Sequence, residues 1–252
     1  MSSSPTVNCL VLLVVTEGIQ SRIALEPFPE KLLNRSIPWI SRAIASVATF
    51  VIAASCTAGG QERRLGQNPL FTDAFTADPA TLVYKDTLYL YTGHDEAKGN
   101  EMFTMKDWLV FSTTDMKHWT AHGPVMKVTD FKWAMKDAWA SQAIEKNGKF
   151  YFYAAVRQNE KLPGMAIGVA VSDSPTGPFV DARGSALITD DMTPHSKDVW
   201  SDIDPTVFID DDGTPWLVWG HDDCYLAKLK PNMIELDGAI SKIPLPDYTE
   251  GP

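Results

Sequence analysis

An internal repeat of about 62 residues is the feature that most restricts the fold of this 252-residue chain. Three segments share one pattern, in which an apolar run, a tight polar turn and an aromatic-rich run follow one another: residues 77–91, 140–153 and 203–219. The aligned positions Tyr89, Tyr151 and Trp216 are 62 and 65 residues apart. Two short apolar runs joined by a turn predict a β-hairpin in each segment.

Each repeat continues with a second pair of predicted strands. Asn147-Gly148 and Asp212-Gly213 are typical of hairpin turns in which both central residues have positive φ. The second pairs are Trp108–Thr113 leading to Trp119, Ala166–Ser172 leading to Phe179, and Tyr225–Leu229 leading to Ile234. Four strands per repeat, arranged radially, predict an all-β fold, a β-propeller with about three blades in this chain. Stacked β-sandwich repeats are the structural alternative.

Acidic residues recur where the innermost strand of each blade begins. In a propeller these positions face a shared funnel, and here they hold Asp78, Ser141-Gln142 and Asp204. A proline follows each aspartate, which favours an extended backbone at the aspartate. Glu250 stands where a fourth repeat would begin and is the third acidic residue of the series.

Carboxyl groups that converge on one pocket indicate acid–base chemistry. Like charges a few ångströms apart raise the pKa of one group, so that one carboxyl stays protonated near neutral pH. Hydrolysis of a glycosidic bond needs this division between one ionised carboxylate and one protonated acid.

The charge and the aromatic content of the chain indicate which classes of molecule it can bind. The chain has 22 Lys and Arg against 32 Asp and Glu, a net charge of −10. That charge repels phosphate backbones, so the sequence argues against nucleic-acid binding. Eight Trp, seven Tyr and eleven Phe are consistent with a β-rich fold and with stacking on sugar rings.

The N-terminal part has the pattern of a targeting segment. Arg35 and Arg42 precede an apolar run at 43–54, and small residues then lead to Cys56, as in a signal peptide followed by a bacterial lipoprotein cleavage site. We therefore expect a signal-like segment at 1–55, lipidation of Cys56, a tether at 56–68 and a catalytic domain at 69–252. The expected location is periplasmic or at the cell surface, with membrane contact only through the lipid. The segment is longer than an ordinary signal, which favours a true start near Leu32 or Leu33, and a buried or interfacial helix at 39–54 is the alternative.

Several short motifs, taken in order, resemble glycoside hydrolase family 43. They are Thr76-Ala-Asp-Pro-Ala80, Ala138-Trp-Ala-Ser-Gln142, Ser201-Asp-Ile-Asp-Pro-Thr206 and Glu250-Gly-Pro252. The resemblance covers about residues 66–252 and implies a five-bladed propeller. It also implies that Asp78 is the general base, that Glu250 is the general acid and that Asp204 tunes the pKa of the acid. Such enzymes invert the anomeric configuration, with the base and acid about 6.5–9.5 Å apart.

The same resemblance suggests further site residues. Trp139 stands where family members place a sugar-stacking residue, with a core tryptophan as the alternative, and His94 could hydrogen-bond sugar hydroxyls or be an ordinary loop histidine. Asp202 is the rival of Asp204, since period-2 alternation puts both on one face. No cofactor or metal is expected to be required, although a structural calcium is compatible with a complete propeller.

The expected function is hydrolysis of α-L-arabinofuranosyl or β-D-xylosyl bonds in plant cell-wall pentose polymers. The chain carries about three of five blades, so we expect it to be a fragment of a longer product, with low stability and weak or no activity alone. A non-catalytic carbohydrate-binding lipoprotein or an inactive propeller fragment is the alternative function. A propeller that serves only as an interaction platform is a third, and it leaves the acidic series unexplained.

Overall fold

A computed structural model describes residues 68–159, 164–194, 199–246, 248–249 and 251–252. The predicted signal segment at 1–55, the lipidation site Cys56 and the tether as far as residue 67 lie outside the described residues, as does Glu250. Among the described residues, no helix is long and apolar enough to cross a membrane.

The first blade is an antiparallel meander in the order β1-β2-β3-β4. Its strands are β1 (Phe75–Tyr84), β2 (Thr87–Asp95), β3 (Met105–Thr113) and β4 (Thr120–Lys127). A short 3-10 helix (Val128–Asp130) leads out of it. Lys85 and Asp86, with φ of 48° and 61°, form the turn between β1 and β2. This is a two-residue turn with positive φ at both positions, in a dipeptide that lacks the asparagine–glycine signal.

The second blade follows the same path and adds one strand. It has the order β5-β6-β7-β8, and β9 also pairs with β7. The strands are β5 (Ser141–Lys146), β6 (Lys149–Arg157), β7 (Met165–Ser172), β8 (Val180–Asp181) and β9 (Ile188–Thr189), followed by a 3-10 helix (Asp190–Met192). Asn147 and Gly148 have positive φ, as the sequence predicts for this turn.

The third blade has the order β10-β11-β12-β13. Its strands are β10 (Thr206–Ile209), β11 (Pro215–His221), β12 (Asp223–Lys228) and β13 (Ser241–Ile243). Two four-stranded sheets, with one five-stranded sheet between them in the chain, confirm the predicted all-β fold with three propeller blades.

Two details of the third blade differ from the prediction. Gly213 has positive φ but Asp212 does not, because the connection is longer than two residues: Asp210 N donates to Thr214 O at 2.9 Å. The fourth strand is β13 rather than a strand at Ile234, which lies in the connection between β12 and β13. Within that connection, Leu229 and Leu236 form an isolated antiparallel β-bridge. The strand that pairs with the outer side of β12 is therefore β13, which lies later in the chain than Ile234.

Apolar packing between blades forms the core. β6 alternates its side chains between two clusters, with Phe152 and Val156 facing the first blade and Tyr153 facing the third. The first cluster includes Tyr91 and Trp108 of blade one, and the second includes Trp219 and Tyr225 of blade three. A sheet buried on both faces needs apolar residues at successive positions rather than at alternate ones. This explains why β6 reads as an almost continuous apolar run.

Two buried tyrosine hydroxyls also link the blades. The Tyr91 hydroxyl donates to the carbonyl of Pro175 at 2.6 Å, and the Tyr153 hydroxyl donates to the carbonyl of Met233 at 2.6 Å. The first bond joins blade one to blade two, and the second joins blade two to blade three. Each satisfies a carbonyl that an apolar side chain would leave without this partner.

We expect Tyr153→Phe to lower the free energy of unfolding by about 1–3 kcal/mol, because it leaves the Met233 carbonyl buried without this donor. Tyr151→Phe is the matched control, since the half-buried Tyr151 hydroxyl has no hydrogen-bond partner among the described residues. The control should change stability by less than about 0.5 kcal/mol. Urea unfolding followed by tryptophan fluorescence measures both, and equal losses would contradict the role of the inter-blade bond.

Candidate active site

The starts of the three inner strands meet at one open cavity of about 410 Å³. The cavity is lined by residues of β1, of the β5 start, of the β10 start and of the C-terminal segment: Asp78, Pro79, Ala80, Thr81, Ala140, Ser141, Gln142, Asp204, Pro205, Thr206, Gly251 and Pro252. Blades placed side by side bring residues about 60 positions apart in sequence to a common wall. Asp78 and Asp204 therefore share one cavity.

Asp78 reaches the cavity through a β-bulge. Ala77 pairs with Gly93 and Ala80 pairs with Tyr91, so that Asp78 and its neighbouring proline oppose a single residue of β2. Asp78 has φ of 48°, in the left-handed region. The predicted extended backbone is wrong here, because the extra residue of the bulge requires a turn in the strand, and aspartate tolerates the left-handed region better than most side chains. A bulge changes the direction in which a side chain points, and Asp78 is exposed to solvent.

Asp204 has the same unusual backbone at the equivalent position of blade three. Its φ is 55°, so the extended conformation predicted from the following proline is wrong for this residue too. The preceding carbonyl, that of Ile203, accepts a hydrogen bond from Gly220 N at 3.0 Å. Asp204 is half-buried, less exposed than Asp78. Backbone strain of this kind costs about 1–3 kcal/mol and concentrates at functional sites.

The C-terminal segment, Gly251 and Pro252, lines one side of the cavity next to Asp204. Gly251 N donates to Gly220 O at 3.3 Å, so the glycine that anchors Ile203 also anchors this segment. Gly251 has φ of 58°, and a Cβ atom there would stand 3.1 Å from Oδ2 of Asp204. The close approach and the positive φ both favour glycine at this position.

Gln142 joins two inner strands at the cavity wall. Its side-chain oxygen accepts a hydrogen bond from Val207 N at 2.8 Å. The bond ties β5 to β10, and it places a polar side chain of the cavity wall between the two blades. The sequence pointed to position 142 as an inner-strand start, but not to this bond.

The other predicted site residues lie off this cavity wall. Nδ1 of His94 is 2.8 Å from Oδ1 of Asp107, and the half-buried Trp139 packs against core residues and stacks on Trp200 with ring centroids 5.1 Å apart. Asp202, the rival of Asp204, is buried. Its Oδ1 accepts hydrogen bonds from Thr193 Oγ1 and, at 2.9 Å, from Trp219 Nε1. Period-2 alternation predicted that the side chains of Asp202 and Asp204 share one face. They do not, because the left-handed backbone at Asp204 interrupts the extended segment.

The described residues contain no cluster of three or more His, Cys, Asp or Glu side chains that could hold a metal ion.

The profile of the family described as "Glycosyl hydrolases family 43" matches residues 67–252. The chain belongs to this family. It is 39% identical over 161 residues to the "Xylosidase/arabinosidase 43A" of Humicola insolens, covering 60% of this chain and 45% of that protein. It is 34% identical over 201 residues to the "Arabinoxylan arabinofuranohydrolase" of Bacillus subtilis (strain 168), covering 72% of this chain and 38% of that protein. The chain thus spans less than half the length of these two curated relatives.

Solved structures of the family have the same fold. An α-L-arabinofuranosidase from Clostridium thermocellum is 34% identical, with a TM-score of 0.59 over 71% of this chain and 60% of that one. A β-xylosidase/α-arabinofuranosidase from a compost metagenome, solved with xylotriose in a calcium-free form, is 29% identical, with a TM-score of 0.59 over 69% of this chain and 61% of that one. These likenesses confirm the resemblance to the family and the propeller fold.

Burial makes Asp202 a pH-sensitive group beside the site. Desolvation raises the pKa of Asp202 to about 6. The hydrogen bonds from Thr193 and Trp219 lower this pKa, but their effect is smaller than that of desolvation. Between about pH 4 and pH 6 the folded chain keeps a proton that the unfolded chain has already lost. The free energy of unfolding therefore falls as pH rises through this window and levels off above it.

We expect Asp202→Asn to remove this part of the pH dependence, because the amide cannot ionise and keeps an oxygen for both donors. The gain in stability over the parent chain should reach on the order of 3 kcal/mol near pH 7 and vanish near pH 4. Thermal unfolding at pH 4, 5, 6 and 7 measures it, with Asp211→Asn in an exposed turn as the control. Parallel pH curves for Asp202→Asn and the parent would contradict the burial argument.

Proposed function

We propose that this chain is the catalytic part of an exported, inverting glycoside hydrolase. Its proposed substrates are plant cell-wall pentose polymers with α-L-arabinofuranosyl or β-D-xylosyl bonds. The observation that carries the proposal is the convergence of Asp78 and Asp204, from two separate blades, on one open cavity. A cavity with two carboxylates and small polar lining residues suits a neutral sugar.

Asp78 is proposed as the general base. It is exposed at the cavity, so water can reach its carboxylate, as activation of a water molecule requires. The carboxylate takes a proton from water while the water oxygen attacks the anomeric carbon. The bond to the leaving oxygen breaks on the opposite face of the sugar, and the configuration inverts.

Glu250 is proposed as the general acid that gives its proton to the leaving oxygen. This role rests on the family motif Glu250-Gly-Pro252, and the two residues that follow Glu250 in sequence both line the cavity. Asp204 is proposed to tune and orient the acid. The close approach of Gly251 to Oδ2 of Asp204 supports this, since it brings the C-terminal segment against the Asp204 carboxylate.

The relatives support the class of substrate. The two curated relatives are named for xylosidase, arabinosidase and arabinoxylan arabinofuranohydrolase activities, and one solved relative contains xylotriose. The net charge of −10 disfavours polyanionic polysaccharides. We also propose export with acylation of Cys56, on the signal-like pattern that precedes this residue.

We expect Asp78→Asn to lower kcat on 4-nitrophenyl α-L-arabinofuranoside or β-D-xyloside by about 10²–10⁴-fold, because an amide cannot accept the proton of the attacking water. Asp204→Asn should also lower kcat. Asp211→Asn, in the exposed β10–β11 turn, is the matched control and should retain activity. The assays use the protein encoded by the longest open reading frame that contains residues 56–252.

Three outcomes separate the candidate functions. Hydrolysis that depends on Asp78 supports the glycosidase. Binding of xylo-oligosaccharides without hydrolysis in the parent protein supports the carbohydrate-binding lipoprotein, and the absence of both supports an inactive fragment. Hydrolysis that survives Asp78→Asn would overturn the assignment of the base.

We expect Glu250→Ala to impair hydrolysis according to the leaving group. A natural glycosidic oxygen needs protonation, whereas a nitrophenolate leaves without it, so activity on xylobiose should fall at least about tenfold more than activity on the nitrophenyl substrate. Proton NMR of the parent reaction should show the inverted anomer as the first product. Equal losses on both substrates would contradict an acid role for Glu250.

A further inference from the structure

Asp204 has a backbone conformation that needs support from the residues on both sides of it. Its φ of 55° lies in the left-handed region, which is unfavourable for a residue with a Cβ atom. Such a conformation persists only where the surrounding structure fixes the flanking residues. On the C-terminal side, Thr206 pairs with Val218, and Val207 N donates to Gln142 Oε1 at 2.8 Å. On the N-terminal side, residues 201–205 belong to no strand, so the support there has another origin.

The side chain of Asp202 anchors this N-terminal side. Asp202 is 1% exposed, and its Oδ1 accepts hydrogen bonds from Thr193 Oγ1 and, at 2.9 Å, from Trp219 Nε1. The two donors come from different elements, because Thr193 follows the 3-10 helix of blade two and Trp219 lies on β11 of blade three. Displacement of Asp202 therefore breaks at least one buried hydrogen bond, which costs free energy.

The backbone of Ile203 extends this anchor to the residue before Asp204. Gly220 N donates to Ile203 O at 3.0 Å, and the Ile203 side chain is buried. Asp202 and Ile203 are thus bonded to two consecutive residues of β11, Trp219 and Gly220. Asp204 is the next residue of the chain and lines the cavity.

The end of β11 also holds the C-terminal segment. Gly251 N donates to Gly220 O at 3.3 Å, and Asp222 N donates to Thr249 O at 3.0 Å. A Cβ atom at Gly251 would stand 3.1 Å from Oδ2 of Asp204. The Asp204 carboxylate and the C-terminal segment are therefore placed against one another by bonds to the same strand end.

We propose that Asp202 is a positioning residue, whose bonds to Thr193 and Trp219 keep Asp204 in the conformation that directs its carboxylate into the cavity. The proposal rests on the function proposed above, in which Asp204 tunes and orients the general acid. Asp204 is one of the described residues that line the cavity and Asp202 is not, so Asp202 acts through Asp204. Without the anchor, the backbone of Asp204 relaxes toward the extended conformation that a following proline favours, and the carboxylate turns away from the acid.

The test removes one donor to Asp202 with little change in shape. Thr193→Val replaces the hydroxyl by a methyl group, and we expect it to lower kcat on xylobiose or arabinobiose, whichever the parent hydrolyses, by about 10–100-fold. The loss on the matching nitrophenyl substrate should stay below about threefold, because nitrophenolate leaves without an acid. Thr193→Ser keeps a hydroxyl and should restore kcat. Thr189→Val is the matched control, since it removes the bond from Thr189 Oγ1 to Asp191 Oδ1 at the start of the same 3-10 helix.

A double-mutant cycle shows whether the effect passes through Asp204. The Asp204→Asn protein lacks the carboxylate whose position matters, so Thr193→Val should change its kcat by less than about twofold. A purely structural role of the bond would give the same fold-loss in both backgrounds. Melting temperatures show that each variant is folded, and Trp219→Phe, which removes the other donor to Asp202, takes the place of Thr193→Val if the latter does not fold.

Each outcome decides the proposal. A disaccharide-selective loss that Thr193→Ser restores and that disappears in the Asp204→Asn background supports the positioning role. Unchanged kcat in Thr193→Val, equal losses on both substrates, or equal losses in both backgrounds would overturn it. Hydrolysis that depends on Asp78 but not on Thr193 would refute the positioning role while retaining the proposed function. Absence of hydrolysis in the parent protein would refute both proposals.

Discussion

The second blade, which contains β6, is buried on both faces between the first and third blades, and the rest of the structure depends on this burial. Phe152 and Val156 pack toward blade one while Tyr153 packs toward blade three, so a single strand contributes to two cores. Because the blades are held face to face, their innermost strands come side by side. The starts of those strands then form the cavity wall, and the carboxylates reach it from sheets that share no hydrogen-bonded strand.

The site is built from local departures from regular strand geometry. Asp78 and Asp204 both have left-handed backbone, and Gly220 and Gly251 have positive φ. Gly220 bonds through its N–H to Ile203 and through its carbonyl to Gly251, so one residue connects the Asp204 loop to the C-terminal segment. A Cβ at Gly220 would stand 1.9 Å from the Asp223 carbonyl oxygen. The rigid blades therefore supply the frame, and strained turns supply the directions of the acidic side chains.

Two carboxyl groups close together in sequence have different surroundings in this frame. Asp202 is buried, accepts hydrogen bonds from Thr193 and Trp219, and joins the 3-10 helix region to β11. Asp204, two residues later, lines the cavity. The two aspartates thus differ in solvation.

The repeat, the strand order within each blade, the start of each inner strand and the family were all predictable from the amino-acid sequence. The repeat and the strands depend on the period of apolar residues and on turn dipeptides, which are local properties of the chain, whereas the family was indicated by the resemblance of four short motifs in their order. The third hairpin is present as predicted, but the conformation of its turn and the position of the fourth strand of blade three were predicted incorrectly, because loop length and the outer pairing of β12 depend on neighbouring strands. The turn at Lys85 and Asp86 carried no dipeptide signal, although its geometry is the one expected for a tight hairpin.

Sequence alone determined which residues could line a cavity, and tertiary structure decided which of them do. Asp202 and Asp204 are equivalent by period-2 alternation, but the left-handed backbone at Asp204 rotates one carboxylate into the cavity and leaves the other in the core. The stacking of Trp139 on Trp200, 61 residues later, likewise depends on the contact between blades two and three. Local sequence patterns predict the hydrogen-bonded turns and the alternation of side chains between the two faces of a strand. The direction of a side chain at a bulge, and its partners across blades, depend on packing between residues distant in sequence.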